Sequence, residues 1–449
     1  MNTQPFEITE KFLGSIGTPQ DLLSLALTSR YWAELIIPRH IQYRELHLGP
    51  DGQTSSLWNH LAERKDLAKN IREVRLTSMD RKWEIRPTTL VPSCDDQSEN
   101  ERNQERSFIQ AFQNFEKLEC FTWKQHDCPV FMVPYRNPRL LEILNNASHL
   151  SSLHLSQCES RTEDAFQEWQ ILTGFRNLKH LHLHGSLWAS FTLGSSLTSM
   201  LLRCSDITEL VLSYNVVSPS FVTCFFPWLR HLSIYSSPWI DQSSREILKF
   251  IKVHETIEEL TYYPVFGVRL LPGSLPALKE IASSHDFTMS ILEDKSVPNR
   301  ALRSIAQISI NPDSMRVLRE IDPSEVQELY LWRYDNIQSI RQLGKIFPAI
   351  TRLEIPKLGM SLSEIYSTLD DHIFTLSHFP RLECIMDTPI RALILDLKGH
   401  ETRKDAIKKL ANACPNLRSI IFYESQRRTI ILSRDGDDTT WEDIGGTRD

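Results

Sequence analysis

The sequence has no paired cysteine motif. Its eight cysteines stand at 94, 120, 128, 158, 204, 224, 384 and 414, and none form a C-x-x-C pair. That spacing offers no zinc knuckle or dithiol redox centre and reads as reduced core residues of a cytoplasmic or nuclear protein. No uninterrupted apolar run reaches about 18 residues, so no membrane span is expected. The start, MNTQPFEITEK, lacks the basic and apolar regions of a secretion signal. The one sequon, Asn146-Ala147-Ser148, is therefore not expected to carry a glycan. Positive charge is in deficit: 50 Lys and Arg face 57 Asp and Glu, a formal net charge of -7. Such a chain has no general attraction to nucleic acid or anionic lipid. Glycine-rich phosphate loops are missing, as are G-x-S-x-G, H-E-x-x-H and G-x-x-x-x-G-K-S/T. No enzymatic activity, cofactor or metal is expected.

What is present is a recurring phrase, apolar-x-x-Leu/Ile-x-x-Leu/Ile, often with proline second. It reads FPWLRHLSI at 226–234, LPALKEI at 275–281, FPAITRLEI at 347–355, FPRLECI at 379–385 and CPNLRSIIF at 414–422. FEKLECF (115–121) and FRNLKHLHL (175–183) lack the proline. The first Leu/Ile falls at 118, 178, 229, 278, 350, 382 and 417, at multiples of roughly 25–35 residues, a repeat-protein period. Weaker copies fill the gaps: YRELHL (43–48), IREVRL (71–76), LSSLHLSQC (150–158), ITELVLSYN (207–215), IEELTYY (257–263), IAQISIN (305–311), VQELYLW (326–332) and IRALILDL (390–397). Two copies, ending in Cys158 and Asn215, match the leucine-rich pattern L-x-x-L-x-L-x-x-N/C. Alternating leucines put one face of a short strand inward.

Helical periods separate the phrases. Residues 162–172, 243–251, 361–376 and 402–414 each place apolar residues on one face, and Ser361 with Glu364 forms a capping-box pair. Each unit is expected to be a strand followed by a helix. Proline then stops the incoming helix, and the Phe, Leu or Cys before it plugs the helix–strand corner. The fold class is α/β, an irregular leucine-rich-repeat horseshoe with parallel strands on the concave face and helices outside. A doubly wound sheet is the rival, but it would carry phosphate loops at its strand ends.

Residues 5–38 lack the phrase. Ile8, Phe12 and Ile16 repeat at helical spacing, and Gly17 ends the run. Thr18-Pro19-Gln20-Asp21 starts a second helix with Leu22, Leu23, Leu25, Ala26 and Leu27. A third carries Trp32, Leu35 and Ile36, and Pro38 ends it. The pattern is apolar nearly all round. A segment of under about 40 residues rarely folds without support, so it must bury one face elsewhere. It docks either on the first repeat or on a partner.

Pro-x-Glu-Ile at 5–8, DLLSLALTSRYW at 21–32 and the AELIIPRH that follows resemble an F-box. An F-box followed by irregular leucine-rich repeats is similar to the F-box/leucine-rich-repeat proteins of fungi and plants. The family usually begins Leu-Pro where this chain has Gln4-Pro5, and many members have Cys where it has Ser29. The resemblance implies binding to the Skp-type adaptor of a cullin–RING ubiquitin ligase, with the repeats capturing a protein substrate. It puts Pro5, Ile8, Leu22, Leu23 and Leu25 at or near the adaptor surface, and Trp32 and Leu35 in internal packing. It implies the domains 1–42 (F-box), 43–432 (repeats, with a polar insert at about 94–106 that is a mobile loop or the start of an exposed helix) and 433–449 (acidic tail).

The residues between the inward leucines point to the concave face, the expected substrate site: His154, His180, His182, His184, His231, Tyr235, Tyr263, Tyr330 and Trp332. Aromatics are common interface anchors. The run HLHLH at 180–184 could hold zinc on alternate positions, but it reads as ordinary face residues. Three functions remain open: a substrate receptor of an SCF-type ligase, a repeat scaffold whose N-terminal helices cap the stack, and an enzyme with a site on the strand ends.

Overall fold

A computed structural model describes residues 6–16, 19–37, 44–48, 54–77, 99–124, 137–156, 174–184, 194–213, 223–235, 244–264, 267–297, 300–356, 368–387, 400–423, 427–435 and 438–444. The chain divides into two units, Met1–Trp228 and Leu229–Asp449.

The first unit begins with three helices: α1 (Phe6–Ser15), α2 (Pro19–Ala26) and α3 (Arg30–Ile36). Pro19 opens α2, and Ser29 is the N-cap of α3, its side chain accepting from the Trp32 N–H. Leu13, Leu22, Ala26 and Ile36 form a small buried core, with Ile16, Leu25, Trp32, Leu35 and Ile37 packed against it. Arg44 ties this head to the first strand by donating to the Ile16 carbonyl at 3.1 Å.

Six parallel strands follow in chain order: β1 (Glu45–Leu48), β2 (Glu73–Thr77), β3 (Cys120–Lys124), β4 (Ser152–Ser156), β5 (His180–His184) and β6 (Glu209–Ser213). Period 2 builds the stack. Leu46, Val74, Phe121, Leu153, Leu181 and Leu210 are in register and buried. Helices α4 (Thr54–Glu63), α5 (Lys65–Ala68), α6 (Glu99–Gln113), α7 (Pro138–Asn146) and α8 (Gly194–Leu201) link the strands. The described part of the polar insert, 99–106, is the first half of α6. That helix is held by its other half, where Phe108 meets Trp58 of α4 edge-to-face at 4.8 Å and Phe112 lies tilted against it at 5.7 Å.

The second unit repeats the scheme. Parallel strands β7 (His231–Tyr235), β8 (Glu259–Tyr262), β9 (Glu280–Ser283), β10 (Ser304–Ile310), β11 (Glu328–Tyr334), β12 (Arg352–Ile355), β13 (Cys384–Asp387) and β14 (Ser419–Tyr423) lie in chain order. Helices α9 (Ser244–Val253), α10 (His285–Leu292), α11 (Pro312–Leu318), α12 (Ile337–Ile346), α13 (Leu369–Leu376) and α14 (His400–Ala413) intervene. Their starts are chemically marked. Asn311 with Ser314, and Thr368 with Asp371, form capping boxes, and Asn336 caps α12. The expected pair Ser361 and Glu364 lies outside the described residues, as do 162–172, 390–397, Cys158 and Asn215.

The proline phrase works as a corner. α12 stops at Ile346 and α14 at Ala413, just before Pro348 and Pro415. The residue preceding each phrase proline is buried: Phe226, Leu275, Phe347, Phe379 and Cys414. Between β8 and β9 the expected helix is absent among the described residues. Pro264, Pro272 and Pro276 deny helix to this stretch, and Gly273 and Leu275 take φ of 73° and 56°. Arg300 braces it, donating to the carbonyls of Ser274 (2.9 Å) and Leu275 (3.3 Å) and to the Asp294 carboxylate (2.8 Å).

The acidic tail needs correction. Residues 427–435 and 438–444 are β15 and β16, an antiparallel pair added to β14. The dipeptide between the two strands, Gly436-Asp437, is a hairpin-turn signal, which the charge of the segment obscured.

Candidate functional site

Two surfaces carry the sequence-predicted residues. On the head, Ile8 is 53% exposed and Leu23 45%. Phe12, Leu27 and Tyr31 are also exposed, at 53%, 78% and 49%. Leu22 corrects the expectation. It is fully buried in the head's own core, on the face of α2 it shares with Ala26 four positions on. Leu25 is half-buried against that core. Pro5 lies outside the described residues.

The other surface is the open face of each sheet, turned away from the buried leucine row. In the first unit it carries two registered rows. One runs Glu45, Glu73, Cys120, Ser152, His180, Glu209; the other runs His47, Arg75, Thr122, His154, His182, Val211. The parallel register stacks His154 on His182, with ring centroids 3.7 Å apart and planes 3° from parallel. His182 Nε2 lies 2.8 Å from Glu209 Oε1. The Ser152 hydroxyl and His154 Nε2 are 3.2 Å apart. Burial, then the neighbouring His182, pushes the His154 pKa down to about 4. Burial, then Lys124, lowers that of His184.

This ladder is poorly shaped for zinc. Lone pairs lie in the ring planes, and two parallel planes 3.7 Å apart aim them side by side instead of at one ion. Among the described residues, three groups lie within metal-ligand reach at Glu45, His47 and Glu73. There the Arg75 Nε donates to Glu73 and already supplies the local positive charge.

In the second unit one open-face row runs His231, Glu259, Glu280, Ser304, Glu328, Arg352, Cys384, Ser419. The other runs Ser233, Thr261, Ala282, Ala306, Tyr330, Glu354, Met386, Ile421. His231 Nδ1 lies 2.8 Å from Glu259, and its Nε2 is 2.9 Å from the Ser233 hydroxyl. Tyr330 donates to Glu328 at 2.9 Å, and Arg352 reaches the same carboxylate at 3.6 Å. Cys384, Met386 and Ile421 form an apolar floor with Tyr330 packed on it. Tyr235 and Trp332 are exposed, and Tyr263 is half-buried. The phenol pKa of Tyr263 is raised by burial and then by Tyr235. A bulge at Gln307, φ 63°, interrupts β10 beside Tyr330.

Sequence reasoning omitted Glu280, Arg352, Glu354 and Met386. The signal was available. They hold the same offsets from the inward leucine of their phrases as His231 and Ser233 hold from Leu232.

No protein-family model matches the chain, and no curated protein does. Solved structures give distant similarities. One is the complex of Rad7 and Elc1 in yeast, at 15% identity over 90% of this chain and 93% of that chain, with a TM-score of 0.44. Another is the leucine-rich repeat-containing protein LegL7 from Legionella pneumophila, at 14% identity over 84% of this chain and 89% of that one, TM-score 0.29. At these scores neither says what this chain binds. The α/β leucine-rich-repeat architecture rests on the registered strands and their buried leucine rows. No described helix is long and apolar enough to cross a membrane.

Proposed function

We propose that the chain is a non-catalytic substrate receptor of an SCF-type cullin–RING E3 ubiquitin ligase, acting in the cytoplasm or nucleus. The N-terminal helices bind the Skp-type adaptor and, through it, the cullin; the open strand face binds a protein target. The observation that carries this reading is the apolar exposure of a head that already has its own core: Ile8, Phe12, Leu23, Leu27 and Tyr31 face outward while Leu13, Leu22, Ala26 and Ile36 are buried. Large apolar side chains left exposed in number on one small element mark an interaction site. The resemblance to an F-box supplies the identity of the partner. The rival reading, a cap that only closes the repeat stack, expects a polar outer face, and five large apolar side chains stand there instead. In this role the chain contributes proximity between target and ligase, with the chemistry done by other subunits.

Co-expression of the full chain with a Skp-type adaptor tests the reading. The wild type co-purifies, and Ile8→Asp does not. If the adaptor ignores the wild-type chain, the receptor role is wrong and the helices serve as a cap.

A further inference from the structure

On the open face of the second unit, the carboxylates divide into two kinds. Glu259 is paired with His231, and Glu328 with Arg352 and Tyr330. Glu280 and Glu354 have no hydrogen-bond or ion-pair partner among the described residues, and both are half-buried. Arg352, two positions from Glu354 on the same strand, is committed to Glu328. Glu354 is flanked in register by Tyr330 and Met386, at the edge of the Cys384–Met386–Ile421 floor. Glu280 stands opposite Ser304, with Ala282 and Ala306 beside it, so small side chains leave room above it. A partly desolvated charge without a counter-charge is costly. Burial holds the Glu354 carboxyl above its usual pKa; burial, then Glu259 and Glu328, does the same for Glu280, outweighing the opposite pull of Arg303 and His231, neither of which forms an ion pair with it.

We propose that this face receives an extended protein segment carrying two basic side chains, one paired with Glu354 over the Tyr330–Met386 floor and the other with Glu280 over Ala282 and Ala306. The aliphatic stem of a lysine or arginine suits the apolar floor while its head meets the carboxylate. The geometry sets the spacing. Glu280 and Glu354 are three strands apart and two positions offset along the strand. With strands about 4.8 Å apart and about 3.3 Å per residue along them, the carboxylates stand roughly 16 Å apart. In an extended segment alternate residues share a face, so basic residues four positions apart, about 13 Å, face the sheet together and their long side chains reach the remainder. This deepens the target-binding half of the receptor reading and is independent of the adaptor.

The test is fluorescence anisotropy with the full chain and labelled Gly/Ser peptides at one fixed salt concentration. The probes carry two arginines four positions apart, two glutamines there, or one arginine alone. The two-arginine peptide should bind at least about tenfold tighter than the two-glutamine peptide, and the single-arginine peptide in between. Glu354→Gln and Glu280→Gln should each reduce the preference, and the double variant should abolish it. Because each substitution removes an unpaired charge, the melting temperature should hold or rise, which separates lost recognition from lost fold. Glu116→Gln, an exposed charge on another part of the chain, should change nothing. The proposal fails if the wild type binds the two- and no-arginine peptides alike, if the double variant keeps the preference, or if Glu116→Gln weakens binding equally. Adaptor co-purification is scored separately, so loss of one function leaves the other readable.

Discussion

Leu22 and Leu23 are adjacent in the sequence and have opposite fates, which makes them a sharp probe of the head. Leu22 is fully buried, and Leu23 is 45% exposed. Leu22→Asp removes a complete leucine from a small core and puts a carboxylate there. Truncation of a buried leucine alone costs about 2–5 kcal/mol, and the buried charge adds several more. A three-helix core of this size cannot absorb that loss, so the head unfolds. Leu23→Asp leaves its carboxylate in water, and its effect on folding should stay within about 1 kcal/mol. At an adaptor contact it is another matter. Covering the exposed half of a leucine contributes about 1 kcal/mol, and a carboxylate forced into a dry contact costs about 3 kcal/mol. About 4 kcal/mol is close to a thousandfold in affinity. Limited proteolysis and circular dichroism report the fold of the head, and titration with a Skp-type adaptor reports binding. Leu22→Asp should fail both assays and Leu23→Asp only the second. If Leu23→Asp binds within tenfold of wild type, or Leu22→Asp leaves the head resistant to protease, the assignment of inner and outer faces is wrong.

Further outcomes follow from single sites. Asp294 is nearly buried; burial pushes its pKa up, but the Ser296 hydroxyl, Arg300 and the Gly273 N–H outweigh that and bring it to about 2. Its contribution, about 2 kcal/mol from the shift, is complete above pH about 4 and fades as pH falls toward 2. Asp294→Asn should therefore lower the urea midpoint at pH 7 and have little effect near pH 2. His154, with its pKa near 4, should stay neutral between pH 5.5 and 8, so an NMR titration placing its inflection near 6.5 would contradict the stacked geometry. The sign agrees: a depressed histidine pKa adds stability that is present above about 6.5 and lost as pH falls through 4. At Gly344 of α12 a Cβ would sit 2.7 Å from the His378 carbonyl oxygen. Gly344→Ala should destabilise the α12–α13 contact by about 1–3 kcal/mol, read from thermal melts.

The strand stack was legible because its signal is repetitive and local. Apart from 390–397, which lies outside the described residues, every quoted phrase forms a strand of its unit, from YRELHL to CPNLRSIIF. Period 2 and a proline at the corner are sequence-local facts. The misses came from competing local signals. The net charge of 433–449 hid the turn dipeptide Gly436-Asp437 of a hairpin whose second strand, DTTWEDI, carries little apolar alternation. The assumption that each strand is followed by a helix failed between β8 and β9, where three prolines and Arg300 built an irregular brace. At the candidate sites, exposure of Ile8 and burial of Leu22 depend on how three helices rotate against one another, which an all-round apolar pattern leaves undetermined. Aromatics drew attention to Tyr330 and Trp332, while the neighbouring Glu354 looked like an ordinary surface residue. Its interest arises from Arg352 having turned to Glu328, a tertiary choice that no spacing encodes.

Both candidate surfaces share a physical form. The head leaves large apolar side chains in water beside a core that could have been made larger. The second unit leaves two carboxylates partly desolvated and without a hydrogen-bond or ion-pair partner among the described residues, on a face where the other two are paired. Each arrangement lowers the stability of the free chain, and each would be relieved by a partner with the missing complement, apolar area in one case and positive charge in the other. Selection for stability alone would remove both with single substitutions, such as Leu27→Lys or Glu354→Gln. Two such features of different chemistry, on separate parts of the chain, fit the proposed receptor, which would join two unlike partners. A scaffold with one partner needs only one of them, so a stabilised variant of each surface, tested against adaptor and basic peptide in turn, should lose one interaction and keep the other.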